Sequence, residues 1–195
     1  ALAYLPNGGV LLDAGCGECS YTDRIERSLT EAGRSARVLG VDLSKDALSI
    51  GGKRNRSLSL AVASVYHLPL PDERVDMLFE VFAPFAEEEY ARVLKKGGKM
   101  VMAIPAAKHL FELKAILYET PYENEVQDTA LTDFRLIERR EVKRTVTLSQ
   151  NEEIWNLFTM TPYFYRTSPA DKEKLRKAAP LSLSFDFEVL VYEKL

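Results

Sequence analysis

The chain of 195 residues is poor in the side chains that build metal and redox centres, with 2 cysteines and 2 histidines. Structural zinc needs four ligands, and His67 and His109 stand far from each other and from the Cys16-x-x-Cys19 pair, so zinc is not expected in these residues. A thioredoxin-like dithiol is not expected either. Both cysteines fall in a loop with another use, where they read as small residues that fit a tight turn. Long apolar runs are also missing: none approaches a membrane span and no signal peptide opens the chain, which argues for a cytoplasmic protein without membrane contact. Charge is nearly balanced, 26 Lys and Arg against 29 Asp and Glu for a net -3. Nothing therefore attracts RNA or DNA to the chain as a whole, and any such contact must come from local patches or another domain. Internal repeats and low-complexity tracts are absent. The composition, 46% hydrophobic and 28% charged, is that of one globular domain long enough for a three-layer core.

The stretch that organises the rest is Val10-Leu11-Leu12-Asp13-Ala14-Gly15-Cys16-Gly17-Glu18-Cys19-Ser20. A short apolar run, an acidic residue, two glycines and a polar start to an amphipathic segment read as a buried strand turning into a helix. Gly15 and Gly17 permit backbone angles that a side chain would forbid and let a ligand lie on bare peptide near a helix N-terminus. A dinucleotide fingerprint wants a third glycine, and Ser20 stands in its place. Asp13 and Glu18 would also repel a pyrophosphate. They suit a cationic ligand that carries an amine, and the Asp-x-Gly-x-Gly form resembles motif I of the class I S-adenosylmethionine methyltransferases. The alternative is an ordinary glycine turn. A second strand, Arg37 to Ser44, ends on Asp42, a little over the roughly 20 residues past the glycine loop at which an acidic residue meets a ribose in this architecture. Its other role would be helix capping, for which Ser44 is available.

The rest of the chain alternates. Helices are expected over Tyr21 to Ala32, from about Lys45 to Arg54, and from Glu87 to Leu94, and strands over Leu58 to Val62, Val75 to Phe82 and Met100 to Ile104. Lys95-Lys96-Gly97-Gly98 reads as the turn closing the third helix, its lysines complementing the helix C-terminus. Beyond that come a helix over Lys108 to Tyr118, a long strand over Arg135 to Thr147, and a capping box at Ser149-Gln150-Asn151-Glu152 opening a helix to about Met160. An aromatic loop at Thr161 to Tyr165, a final helix capped at Ser168, and a strand over Leu181 to Val191 complete the chain. The last strand is apolar at odd positions, as for an antiparallel strand exposed on one face. The pattern predicts an α/β, doubly wound, mainly parallel seven-stranded sheet with an antiparallel C-terminal strand.

Leu12 to Glu18, the Ala63-Ser64 to Leu68-Pro69 loop, Phe82-Ala83-Pro84, Ile104-Pro105 with His109-Leu110 and Glu112-Leu113-Lys114, and Met160-Thr161-Pro162 together resemble the bacterial 23S rRNA (guanine-N1)-methyltransferases, over almost the whole chain. The resemblance implies the Rossmann-like methyltransferase fold and S-adenosylmethionine as cofactor. It places Gly15, Gly17 and Glu18, with Asp13 beside them, on the methionine part, Asp42 on the ribose, Ser64 on the adenine side and His109 over the pocket. A histidine satisfied at a helix start is the other reading of His109, and His67 reads as structural or solvent-facing. Cys19 departs from the glycine common there. The family carries an N-terminal zinc-binding module, where zinc is expected, and the chain opens at Ala1 without it, as a fragment or processed chain would. The catalytic domain then spans 1–195, with 106–130 and 148–180 as substrate-side elements.

Guanine N1 carries a proton that must leave, and Glu80 and His109 are the candidate acceptors near the Phe82-Ala83-Pro84 turn. The partner would be 23S rRNA, through an unpaired or flipped guanine stacked on an aromatic such as Phe82, Phe85, Tyr163 or Tyr165, with a homodimer left open. Basic clusters at Arg139 to Arg144 and Lys172 to Lys177 offer a route for phosphates, or are solvated faces. A small-molecule methyltransferase and a non-catalytic S-adenosylmethionine-binding protein are the competing functions.

Overall fold

Strands β1 (Gly9–Ala14), β2 (Ala36–Asp42), β3 (Ser59–Val62), β4 (Val75–Val81), β5 (Leu94–Pro105), β6 (Phe134–Leu148) and β7 (Leu181–Lys194) form one sheet in the order β3-β2-β1-β4-β5-β7-β6. The structure, a computed structural model, describes residues 3–125 and 129–195. Residues 126–128 of the expected 106–130 element, and the first two of the Ala1 to Pro6 lead-in, lie outside the described residues. Pairing from β3 through β5 is parallel and β7 is antiparallel. The mainly parallel seven-stranded sheet is therefore as the sequence predicts. Among the described residues no helix is long and apolar enough to cross a membrane.

The chain forms two compact units, one of Ala1–Ile104, Asp128–Arg140 and Val189–Leu195, the other of Pro105–Gln127 and Glu141–Glu188. In the first, period-2 alternation sends neighbouring residues of each strand to opposite faces. Leu12, Leu78 and Met102 pack with Tyr90 and Val93 of α3 (Glu87–Val93) on one side. Leu11, Met77 and Val101 pack with Leu29 of α1 (Ser20–Glu31) and Leu48 of α2 (Lys45–Arg54) on the other. Strands buried on both faces read as near-continuous apolar runs, and Val10–Leu12 of β1, Met77–Phe79 of β4 and Met100–Ile104 of β5 do.

Several expectations are corrected. Leu190, Val191 and Tyr192 are buried in succession, because β7 lies between β5 and β6 and two of these residues join one core and the third the other. The one-face alternation seen over 181–191 therefore breaks down where the strand becomes internal. Lys95 to Gly98 is a bulge inside β5: the register jumps from Val75↔Leu94 to Met77↔Lys99, with Gly97 at φ +74°. Lys95 Nζ is 2.6 Å from Asp76 Oδ1, an ion pair that gives this lysine a side-chain partner. The capping box is shifted by one residue: Gln150 precedes α5 (Asn151–Thr159), and Glu153 accepts from Gln150 N at 3.1 Å. The expected aromatic loop holds one short helical turn, α6 (Tyr163–Arg166).

The second unit has its own core of Leu110, Leu113, Leu117, Ile154, Phe158, Leu175 and Leu183. Its first helix, α4 (Phe111–Leu117), starts later than expected because Leu110 takes φ +53°. Ser168 caps α7 (Pro169–Lys174) through Asp171 N at 3.2 Å, and a 3-10 turn at Leu175–Lys177 follows. Lys114 is fully buried, donating to Tyr122 O at 3.0 Å and Asn124 Oδ1 at 2.7 Å, and its ammonium lies 4.1 Å above the Tyr122 ring. Burial lowers its pKa.

Candidate functional site

The site is built at the carboxyl ends of β1 to β4, where ligands of open α/β sheets bind. Past Ala14 the chain turns with Gly15 at φ +79° and Gly17 at φ +52°, and the N–H groups of Gly15 and Cys16 both donate to Val41 O. A Cβ on Gly15 would stand 2.5 Å from the Ala83 Cβ, whereas one on Gly17 would meet nothing within 4 Å. One glycine thus lets the loop press on the β4–α3 turn and the other leaves bare backbone facing open space. Their alanine variants should separate. Gly17→Ala carries only the left-handed strain, about 1–2 kcal/mol, while Gly15→Ala adds an overpacking cost of about 1–3 kcal/mol. Urea unfolding of both checks this, and equal midpoints would contradict the described contact.

Cys19 is buried and held at φ +61°, a backbone angle that suits the glycine common there. A Cβ on Gly40 would come 2.9 Å from Cys16 Sγ, and one on Gly51 only 2.5 Å from Cys19 Sγ. The two free thiols, 3.7 Å apart, thus occupy room that β2 and α2 leave at glycines. Burial pushes both thiols up.

The carboxylates around the loop divide by environment. Asp13 is 3% exposed and accepts from Thr22 Oγ1 at 2.5 Å; burial pushes it up to about 6, the Asp42 charge adding to the rise and the Thr22 bond opposing it. Glu18 is exposed and turned to α2, its Oε2 3.4 Å from Arg54 Nη2, while Arg54 Nη1 donates to Glu18 O at 2.9 Å. Asp42 accepts from Gly17 N on Oδ2 and from Ser44 N on Oδ1, both at 2.8 Å, so each oxygen keeps acceptor capacity for a further donor. Ser44 itself caps α2 through Ala47 N at 3.2 Å. Beside this carboxylate Ala63 N donates to Asp42 O, and Ser64 Oγ accepts from Tyr66 N at 3.2 Å while its O–H can still donate. Leu43, 73% exposed, follows Asp42 directly. Sequence reasoning passed over it, because an apolar residue at a strand end gives no signal until its exposure is known.

At the end of β4, Glu80 is 1% exposed. Its Oε1 accepts from Ala83 N at 2.6 Å, fixing the turn that abuts Gly15, and Oε2 has no hydrogen-bond partner among the described residues. Burial pushes the carboxyl up to about 7, with the Asp13 charge adding to it. Phe82, at φ +54°, is half exposed, whereas Phe85 packs edge-on to Tyr90 at 5.7 Å against the core. The loop and Asp42 are thus joined by a direct hydrogen bond, with Glu80 and Asp13 coupled electrostatically.

His109 belongs to the second unit. Its Nδ1 accepts from Asp186 N at 3.3 Å, its ring is 4.5 Å from that of Phe187, and burial pushes its pKa down to about 4. A neutral imidazole accepting at Nδ1 carries its hydrogen on Nε2, so this ring donates rather than takes a proton. Tyr163 donates to Asn124 Oδ1 at 2.9 Å within the Lys114 cluster.

A family model described as a methyltransferase domain matches residues 12–102, from β1 through β5. A Bacillus subtilis protein provisionally named a 23S rRNA (guanine-N1)-methyltransferase is 30% identical over 190 residues, 93% of this chain and 65% of that one. The Streptomyces fradiae 23S rRNA (guanine(748)-N1)-methyltransferase is 34% identical over 53% of this chain and 36% of its own length. The chain thus spans less than two thirds of these relatives. Among solved structures, geranyl diphosphate C-methyltransferase of Streptomyces coelicolor, in complex with S-adenosyl-L-homocysteine, matches with a TM-score of 0.59 at 16% identity, over 100% of this chain and 78% of that one, a likeness of fold. The family model agrees with the glycine loop and its Asp42 partner: the chain carries an S-adenosylmethionine-dependent methyltransferase domain, and over 93% of its length it is similar to a protein named as a 23S rRNA (guanine-N1)-methyltransferase.

Proposed function

We propose that the chain is the catalytic domain, over 1–195, of an enzyme that transfers a methyl group from S-adenosylmethionine to N1 of a guanine in 23S rRNA. The observation that carries this reading is the Bacillus subtilis relative, whose similarity covers 93% of the chain and so extends well beyond the general methyltransferase domain at 12–102. Substrate choice resides in elements added to a shared fold, and 106–130 and 148–180 are assigned that role.

The residues fit the cofactor by the chemistry of their donors and acceptors. Asp42 has acceptor capacity for a ribose diol beside the bare backbone at Gly17, Ser64 can donate toward adenine with Leu43 beside the ring, and Gly15, Gly17, Glu18 and Asp13 are assigned to the methionine part, whose ammonium suits an acidic surrounding. His109 is assigned to the cofactor side as a hydrogen-bond donor. S-adenosylmethionine supplies a methyl already activated on a sulfonium, which leaves positioning, water exclusion and proton removal to the protein. Glu80, with a carboxyl that titrates near neutrality, suits the acceptor role better than His109, whose Nδ1 already accepts from Asp186 N. The exposed Phe82 ring is the stacking surface at that turn for an unpaired or flipped guanine.

Methylation at N1 blocks the Watson–Crick edge, so primer extension on 23S rRNA reads it directly. A stop at one guanine that requires S-adenosylmethionine is expected, and it should vanish in Glu80→Gln. Cofactor binding without any stop, on isolated rRNA and on ribosomal subunits, would overturn the rRNA assignment and leave a small-molecule substrate or a non-catalytic S-adenosylmethionine-binding protein.

A further inference from the structure

On the second unit, α5, α6, α7 and the 3-10 turn bring four aromatic rings into one graded cluster. Phe158 is buried, Trp155 and Phe164 pack edge-on around it at 5.8 and 5.4 Å, and Tyr165 stands edge-on to Phe164 at 5.4 Å. Tyr165 is 85% exposed and Met160, at the end of α5, 83% exposed. Two cations cover the inner rings: Lys172 Nζ is 4.0 Å above Phe164, and the Arg176 guanidinium is 4.6 Å from the Trp155 centroid. The segment 163–177 holds five basic and two acidic side chains, in a chain whose net charge is -3. Arg176 and Lys174 pair with Glu173 and Asp171, while Arg166, Lys172 and Lys177 have no carboxylate partner among the described residues.

We infer that this face is a contact surface for single-stranded RNA, in which a base stacks on Tyr165 and the flanking cations take phosphates. The inference rests on the rRNA reading above for the identity of the partner. The chemistry is that of sequence-tolerant single-strand binders, which set aromatic rings beside a positive groove. Tyr165 is held for this use, because its contact with Phe164 orients the ring before any ligand arrives. Lys172 and Arg176 are held as well by the rings beneath them, so less side-chain freedom is lost on binding. The basic stretch on β6 offers no comparable surface, since no ring lies among residues 135–148. An exposed Tyr next to Trp and Arg also suits a protein partner. The local excess of positive charge on an acidic chain favours a polyanion.

The test is fluorescence anisotropy of the full chain with a labelled mixed-sequence single-stranded RNA of about 16 nucleotides, a length near the upper site size of such folds, and with a duplex of equal length. Tyr165→Ala should weaken single-strand binding about tenfold, the loss typical of one stacked base, without changing the salt dependence. Lys172→Glu with Arg176→Glu should weaken it further and lower the slope of log K against log salt by roughly 1.4, two phosphate contacts' worth. Urea midpoints of the variants establish that they remain folded. No saturable binding by the wild-type chain, variants within twofold of it, or duplex preferred and indifferent to Tyr165→Ala would each overturn the inference. A change in the sedimentation of the protein alone on Tyr165→Ala, with RNA affinity intact, would assign the face to a protein partner instead. The two readings fail separately. Binding that depends on Tyr165 without guanine methylation leaves this surface and removes the proposed function, whereas methylation by Tyr165→Ala at the wild-type rate and RNA affinity does the reverse.

Discussion

Asp42→Ala should weaken S-adenosylmethionine binding by about a hundredfold or more in a calorimetric titration. The carboxylate can accept from both ribose hydroxyls, and hydrogen bonds to a charged group contribute about 1.5–3 kcal/mol each. Two of them correspond to at least two factors of ten at 1.4 kcal/mol per decade. Part of the loss comes through the loop itself, since Asp42 Oδ2 accepts from Gly17 N and without it the bare backbone that faces the ligand loses its anchor. Asp42→Asn separates the contributions: its one carbonyl oxygen can keep Gly17 N or serve a hydroxyl, and an intermediate affinity is expected. Affinity within threefold of wild type in Asp42→Ala would reduce the residue to an anchor for the N–H groups of Gly17 and Ser44.

Glu80→Gln should stabilise the domain at pH 8 and do so far less at pH 5. The folded carboxyl titrates at about 7 against 4.5 when free, so between those values the folded chain binds a proton that the unfolded chain has lost. Stability contributed by the protonated acid is complete below about 4.5 and is lost as pH rises through 7. Above 7 an ionised, buried Glu80 costs about 3 kcal/mol, from some 2.5 pH units at 1.36 kcal/mol each. Glutamine keeps an acceptor for Ala83 N and removes the charge. Urea midpoints of both proteins across pH 5 to 8 measure the effect, and curves that stay parallel would show that Glu80 does not titrate in this range. Asp13, raised to about 6, gives the wild-type chain a second decline in the same direction. A gain in stability with loss of methyl transfer would identify Glu80 as a group whose burial is retained for function.

Much of the fold was legible because each central strand has an apolar run at its middle and the βα turns after β1 and β2 carry their own punctuation. The glycines after β1 and Ser44 before α2 locate helix starts to within a residue. Failures fall where tertiary context outweighs local pattern. Leu110 adopts a left-handed angle that no leucine advertises, and it trims the start of α4. The capping box moved because Ser149 and Gln150 both have an acid three or four residues on, and only the turn's geometry selects Glu153 as acceptor for both backbone N–H groups. Lys95 was read against its sequence neighbours, whereas its partner Asp76 lies 19 residues away. At the site the sequence locates the loop and Asp42 but carries no sign that Glu80 holds Ala83 N, that Glu18 faces Arg54, or that Leu43 is bare.

The fit of Cys16 against Gly40, and of Cys19 against Gly51, has a consequence for how this loop can drift over generations. Sulfur at 19 and a methyl at 51 compete for one volume, as do sulfur at 16 and a methyl at 40. Alanine at 51 is therefore accommodated more readily once position 19 is glycine, the residue its φ of +61° already favours. One route passes through an intermediate with a relaxed backbone and a small void; the reverse route passes through a collision of 2.5 Å at the mouth of the loop.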